Sequence, residues 1–184
     1  MPLAIGSIAV IGAGTAGRAF ALACARAGYR VVLADVMPEK LRRAEDEYAE
    51  YGAAVGELAG SLRYAMTVEE AVEDADIAID FVPDELESKL EIFSLFDRMA
   101  PPRTILCTPT NALSITDLAS CTYRAERCVG VRGSSLLTGQ VELLRSKFLS
   151  ADVEAAVMGL WGRLGLAMHV VADVEPMLVK NLPR

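Results

Sequence analysis

The stretch Gly12-Ala13-Gly14-Thr15-Ala16-Gly17 carries glycines at the spacing of a turn that cradles phosphates. Gly12 permits a tight turn, Gly14 lets a pyrophosphate approach the backbone, and Gly17 allows a helix to pack closely on a strand. Glycine spacing alone is common. Here it closes a short β-branched run, Ser7 to Ile11, and opens an alanine-rich helical stretch. Within a βαβ unit of about 30 residues that is the context a dinucleotide requires, because the helix amino terminus offers unpaired N–H groups and partial positive charge to the phosphates. Asp35 ends the next apolar run, where a carboxylate accepts hydrogen bonds from a ribose diol and repels a 2′-phosphate. The pattern therefore favours NAD over NADP, with Arg42 and Arg43 read as a solvated helix face.

The elements that position these residues follow from periodicity. The first strand is Ser7 to Ile11, and the helix after it runs from about Gly14 to Ala27, capped by Gly28. A second strand spans Tyr29 to Ala34, and Pro38 opens a polar helix running toward Leu58. Ile77 to Phe81 reads as a strand and Glu85 to Met99 as an amphipathic helix, with Leu86, Leu90, Phe93 and Phe96 on one side. Thr104 to Cys107 and Cys128 to Val131 read as strands, with a short helix over Ser114 to Ala119 between them. A helix around Val153 to Leu164 leads into a last strand near Leu166 to Val171. Alternating strands and helices imply right-handed crossovers and an α/β fold with a Rossmann-like doubly wound, mostly parallel sheet.

The chain has 184 residues, suiting one globular domain, and its 18 Lys+Arg against 25 Asp+Glu give a net charge of −7. That balance argues against nucleic acid and anionic lipid as partners. Cys24, Cys107, Cys121 and Cys128 form no CxxC pair, and His169 is the only histidine, so no zinc-type spacing exists. The cysteines read as buried thiols of a reducing compartment. The uncharged stretch Pro2 to Gly17 lacks a basic leader region, and no apolar run reaches the roughly 18 residues of a membrane span. The expectation is a cytoplasmic, soluble protein without metal.

The sequence resembles the NAD-binding domain of the 3-hydroxyacyl-CoA dehydrogenase family. The resemblance begins at Ile8-Ala9-Val10-Ile11-Gly12 and the glycine turn, and resumes at Ala75-Asp76-Ile77-Ala78-Ile79-Asp80 and the helix of Leu86, Lys89, Leu90 and Phe93. It continues through Thr108-Pro109-Thr110-Asn111-Ala112-Leu113-Ser114-Ile115-Thr116 and Glu126-Arg127-Cys128-Val129-Gly130. It implies that Asp84 and Lys89 lie near the nicotinamide ribose and that the Thr108–Leu113 loop borders the nicotinamide. By spacing alone, Lys89 reads instead as a surface lysine paired with a glutamate of its own helix.

Departures from the family pattern fall on the chemistry. Asn111 stands where the family has a working serine, Arg132 where it has the histidine base, and Ser135 where it has an asparagine. Glu142 matches the orienting glutamate only across a two-residue gap. A guanidinium has no acceptor lone pair and stays protonated, so Arg132 can stabilise an alkoxide or hold a carboxylate but cannot be the base. His169, in the last strand, reads as a core or edge residue far from the site. The family's His–Glu dyad is missing. The stretch Asp173 to Leu182 resembles the family's junction to a C-terminal helical domain, with Lys180 aligned to a further asparagine. The expectation is a single dinucleotide-binding domain over 1–184 without that helical domain, its exposed face covered by self-association into a homo-oligomer or by a partner subunit.

The resemblance implies an NAD-dependent oxidoreductase of fatty-acid-type metabolism, acting on a 3-hydroxyacyl or 3-oxoacyl thioester or a related hydroxy acid. Its site would use Asn111, Arg132 and Glu142, with cofactor contacts at Gly12, Ala13, Gly14, Thr15, Ala16, Gly17, Asp35, Asp84, Lys89 and Asn111. A catalytically inactive NAD-binding module, or a subunit of a larger complex, is the alternative that the missing base motivates. The segment between Glu50 and Thr67 is shorter than the family's helical hairpin, and Arg63 is the only basic residue between Arg43 and Lys89. A small or carrier-bound substrate fits that better than free coenzyme A.

Overall fold

The computed structural model describes residues 3–178. Strand β1 (Ser7–Ile11) is followed by helix α1 (Thr15–Arg26), β2 (Arg30–Ala34) and α2 (Pro38–Val55). Then come β3 (Ser61–Ala65), α3 (Val68–Val72), β4 (Ile77–Asp80) and α4 (Leu86–Met99). The remainder is β5 (Ile105–Pro109), α5 (Ile115–Ser120), β6 (Cys128–Arg132), β7 (Val141–Arg145), α6 (Ala151–Arg163) and β8 (Met168–Ala172). Eight strands form one sheet in the order β3-β2-β1-β4-β5-β6-β7-β8. Every pairing is parallel except β6 with β7, so the expected α/β, doubly wound, mostly parallel sheet is what forms.

The sheet separates two apolar layers. On one face, Phe20 of α1 and Trp161 of α6 meet with ring centroids 5.5 Å apart, over Val10, Ile79 and Val131. On the other, Ile92, Phe93 and Phe96 of α4 and Ile115 and Leu118 of α5 cover Ala9, Ala78 and Leu106. Central strands β1, β4 and β5 are buried on both faces, which is why their sequences are continuous apolar runs rather than alternating ones. The order reverses between β1 and β4. That is the switch point at which an open α/β sheet leaves a crevice beyond its strand ends.

Several boundaries differ from the sequence reading. Helix α2 stops at Val55, because Gly56 takes φ 89°. The sequence offers no clear period over β3, α3 or β7. Edge strand β3 is Ser-Leu-Arg-Tyr-Ala, half exposed, and β7 is Val-Glu-Leu-Leu-Arg, so neither shows an apolar run. The buried side of α4 is Lys89, Ile92, Phe93 and Phe96, with Leu86 and Leu90 only partly covered. Of the four cysteines Cys121 is exposed, a correction to the all-buried reading; it lies in the turn after α5. Among the described residues no helix is long and apolar enough to cross a membrane.

Asp76 ties β4 to the start of β1. Its Oδ2 accepts from the N–H of Gly6 at 2.9 Å, the N–H of Ser7 at 3.0 Å and the Ser7 hydroxyl at 3.0 Å. Burial pushes this carboxyl up, but the Gly6 and Ser7 bonds and Arg103 outweigh it, leaving the group below the ordinary carboxylate range. A carboxyl whose native titration lies below its unfolded one stabilises the fold above the unfolded value and loses that contribution as pH falls. Asp76→Asn is therefore expected to lower Tm at pH 7, with the difference from wild type shrinking below about pH 4. Thermal melts across pH check this.

Candidate functional site

The glycine turn is built as its spacing requires. Gly12 sits at φ 108°, and a Cβ there would lie 3.1 Å from the Phe81 carbonyl oxygen of β4's end. A Cβ on Gly17 would lie 1.8 Å from the Gly12 oxygen, so only glycine lets α1 seat this closely on β1. Gly14 differs: a Cβ there would meet nothing within 4 Å, because the turn faces open space at that point. Helix α1 begins just after Gly14 with no side-chain cap and no acidic residue in its first turn. Its leading N–H groups and positive dipole end are left for a ligand. An open cradle, an uncapped helix start and a close-packed turn together fit the pyrophosphate of NAD.

Asp35 braces that cradle. Its Oδ2 accepts from the Ala13 N–H at 2.8 Å and its Oδ1 from the Met37 N–H at 2.9 Å, with Lys40 Nζ 3.6 Å away. A carboxylate has about four acceptor positions, so capacity remains for a ribose diol. Asp35 thus holds the turn as well as offering recognition, a role its sequence position did not reveal.

From the turn a cleft of about 380 Å³ runs across the strand ends past Phe81, Asp84, Lys89 and Asn111 to Arg132, Ser134 and Ser135. Thr15, Ala16 and Gly17 form its near wall. Asp84 Oδ2 accepts the Asn111 N–H at 2.8 Å, which fastens the β5–α5 loop to the β4–α4 loop and leaves the Asn111 amide exposed. At the other end the Trp161 indole donates to the Leu136 carbonyl at 2.9 Å, anchoring the loop after β6.

Lys89 is not a surface lysine paired within its helix. It is 1% exposed and donates from Nζ to Asp80 Oδ2 at 2.7 Å, and Asp80 is fully buried at the end of β4. Among the described residues Asp80 Oδ1 has no hydrogen-bond partner. Burial pushes the Asp80 carboxyl above the ordinary range, and the Lys89 charge pulls it back only in part. Burial likewise pushes the neighbouring Cys107 thiol far up, so it is inert rather than nucleophilic. The partnership was missed in the sequence, yet a signal existed: an acid ends an otherwise wholly apolar strand, and a lysine lies on the apolar side of the next helix.

Arg132 and Glu142 come together. They are register partners across the antiparallel β6–β7 pair, and Arg132 Nε donates to Glu142 Oε2 at 2.6 Å, both side chains about one-third exposed. The strand pairing supplies the proximity that a two-residue gap left open in the sequence. Ser135, aligned with the family's asparagine, accepts the Leu137 N–H on its hydroxyl at 3.2 Å and so shapes the loop. His169 lies exposed on edge strand β8, in register with Glu142 and outside the residues that line the cleft. Asp173 receives the Ser114 hydroxyl and the Ile115 and Thr116 N–H groups, at 2.7–3.0 Å, so the start of the junction segment docks on α5. Lys180 lies outside the described residues.

Comparison with known proteins agrees with this architecture. Residues 7–165 match the family model described as 3-hydroxyacyl-CoA dehydrogenase, NAD binding domain. A probable 3-hydroxybutyryl-CoA dehydrogenase of Bacillus subtilis is 33% identical, over 96% of this chain and 66% of its own length. The 5-formyl-3-hydroxy-2-methylpyridine 4-carboxylate 5-dehydrogenase of Mesorhizobium japonicum is 28% identical, over 96% of this chain and 60% of its own. The crystal structure of 3-hydroxybutyryl-CoA dehydrogenase from Escherichia coli K12 superposes with a TM-score of 0.82 at 26% identity, covering 96% of this chain and 40% of that one. The chain thus spans 60–66% of the length of those two curated relatives.

Proposed function

The chain belongs to the 3-hydroxyacyl-CoA dehydrogenase family through its NAD-binding domain, and from that premise we propose that it moves hydride between NAD and the hydroxyl-bearing carbon of a small 3-hydroxy acid or its thioester. The observation that supports this is the cleft itself, which runs from the glycine turn at one end to Asn111 and Arg132 at the other, with Arg132 held by Glu142 of the neighbouring strand. Bound there, NAD supplies the hydride-accepting ring. The chain's residues do the rest. Gly14 and the α1 start bind the pyrophosphate, Asp35 takes the ribose diol, and the Asp84–Asn111 bond sets the loop beside the reacting carbon. Asn111 orients the substrate oxygen. Arg132, its Nε held by Glu142, aims its remaining N–H groups at charge developing on that oxygen.

The first test is an NADH fluorescence titration beside absorbance at 340 nm with a panel of 3-hydroxyacyl thioesters and free 3-hydroxy acids. We expect NADH to bind and some substrates to turn over, with Arg132→Ala lowering kcat/KM by roughly 10²–10³-fold and leaving NADH affinity unchanged. Wild-type turnover by Arg132→Ala removes Arg132 from the reaction. Binding without turnover on the whole panel replaces the oxidoreductase reading with that of a non-catalytic NAD-binding module.

A further inference from the structure

Among the described residues, the charged groups that line the cleft are Asp84, Lys89 and Arg132. Lys89 is buried and spent on Asp80, and Asp84 accepts the Asn111 N–H. Arg132 differs. Its Nε donates to Glu142 Oε2, its side chain stays 30% exposed, and among the described residues its two Nη groups make no hydrogen bond. A guanidinium engaged through Nε alone still presents its Nη fork, two parallel donors that match the two oxygens of a carboxylate. A developing alkoxide is a single oxygen and leaves half of that fork unmatched.

Position agrees with charge. Strands β5 and β6 are parallel neighbours with Pro109 opposite Val131, and the Thr110 N–H donates to the Val131 carbonyl at 3.0 Å. Asn111 and Arg132 therefore leave adjacent strand ends, whose backbones run about 5 Å apart. A hydroxyl and a carboxylate on neighbouring or next-but-one carbons span a gap of that order. The negative Asp84 lies on the Asn111 side, which turns a carboxylate toward Arg132 and the hydroxyl toward Asn111.

We propose that Arg132 is the carboxylate anchor of this cleft, and that the substrate class is the free short-chain 3-hydroxy acid rather than its thioester. The hydroxyl half rests on the hydride-transfer reading; the anchor does not. Discrimination comes from penalty as well as attraction. A free acid pairs both oxygens with the fork. The acyl end of a thioester or amide is neutral, offers one acceptor oxygen, and closes the cleft over a cation it cannot match. Lysine would not serve here, because a point charge fixes neither the plane nor the direction of a carboxylate.

The test compares 3-hydroxybutyrate with 3-hydroxybutyramide and with the N-acetylcysteamine thioester of the same acid. Each is titrated into the NADH complex of the wild type and of Arg132→Gln, followed by NADH fluorescence. Ligand and cofactor are both reduced, so no reaction intervenes, and NADH binding by the variant shows that it is folded. The wild type is expected to bind the acid at least about 10²-fold more tightly than the amide or the thioester. Arg132→Gln should bring the three within about threefold of one another, and kcat/KM with NAD should follow the same order. An amide or thioester that the wild type binds as tightly as the acid overturns the proposal, and that comparison needs no variant. An acid preference that survives Arg132→Gln overturns it too. Turnover without acid preference keeps the hydride-transfer reading and removes the anchor. Acid-selective, Arg132-dependent binding with no turnover of any ligand keeps the anchor and overturns the hydride-transfer reading.

Discussion

Gly17→Ala is expected to abolish the cofactor site and to cost the fold about 3 kcal/mol or more. The new Cβ would sit 1.8 Å from the Gly12 oxygen and 3.0 Å from the Gly12 carbonyl carbon. Both are backbone atoms, so no rotamer change relieves the clash. Gly12 cannot step aside freely, because its N–H is bonded to the Ala34 carbonyl at 2.8 Å and Phe81 closes the side on which a Cβ would stand. Helix α1 must therefore lift off β1, which breaks the Phe20 contacts beneath it and tilts the N–H groups that face the pyrophosphate. NADH affinity is expected to fall at least about a hundredfold, since each lost charge-assisted bond removes about 1.5–3 kcal/mol. Gly14→Ala separates the two consequences. Nothing lies within 4 Å of its Cβ, so urea midpoints should match wild type, and NADH affinity should weaken where the methyl meets the phosphates. Equal stability of Gly17→Ala and Gly14→Ala in urea melts would overturn the close-packing account.

The second large effect is expected at Lys89. Lys89→Met leaves the Asp80 carboxylate fully buried without its cation, with Oδ1 unpartnered already, at a cost of about 3–5 kcal/mol. The pH dependence has a definite sign. A carboxyl whose native titration lies above its unfolded one makes the native state bind more protons, so its contribution to stability declines as pH rises through that interval. Removing Lys89 takes away the one charge opposing this, and Lys89→Met should be far less destabilised at pH 5 than at pH 8. The double variant Asp80→Val with Lys89→Met should recover most of the loss, because breaking a buried pair costs more than replacing it with apolar volume. Denaturant midpoints for the three variants at both pH values check this. A single variant as stable as wild type at pH 8 would mean that the pair contributes nothing to folding.

The NAD-binding half of the molecule was legible in the sequence because its determinants are local. A glycine that must pass a backbone, a strand of continuous apolar residues and an acid closing the next strand lie within one βαβ unit and leave their mark on consecutive residues. Ser7–Ile11, Thr15–Arg26 and Arg30–Ala34 form as their spacing predicts, within a residue or two at each end. Edge strand β3 and inner strand β7 left no such mark. They are short, and charged residues break the apolar run; what holds them is pairing, of β3 with β2 and of β7 with β6 and β8, rather than local propensity.

Composition, the glycine turn, Asp35 and the motif resemblance determined the fold class, the family and NAD as cofactor from the sequence alone. The partnerships among charged residues were decided by tertiary structure. By spacing alone Lys89 read as a surface residue, and by resemblance as a neighbour of the cofactor; neither reading held its partner, Asp80, to which α4 carries the amine by laying its apolar side on the sheet. Glu142 met Arg132 only because β7 runs antiparallel to β6, and His169 came into line only because β8 adds beside β7. The physical reason is range. Steric and periodic constraints act between residues close in the chain, whereas strand order and register are chosen by burial over the whole sheet. They bring together side chains that no local spacing relates.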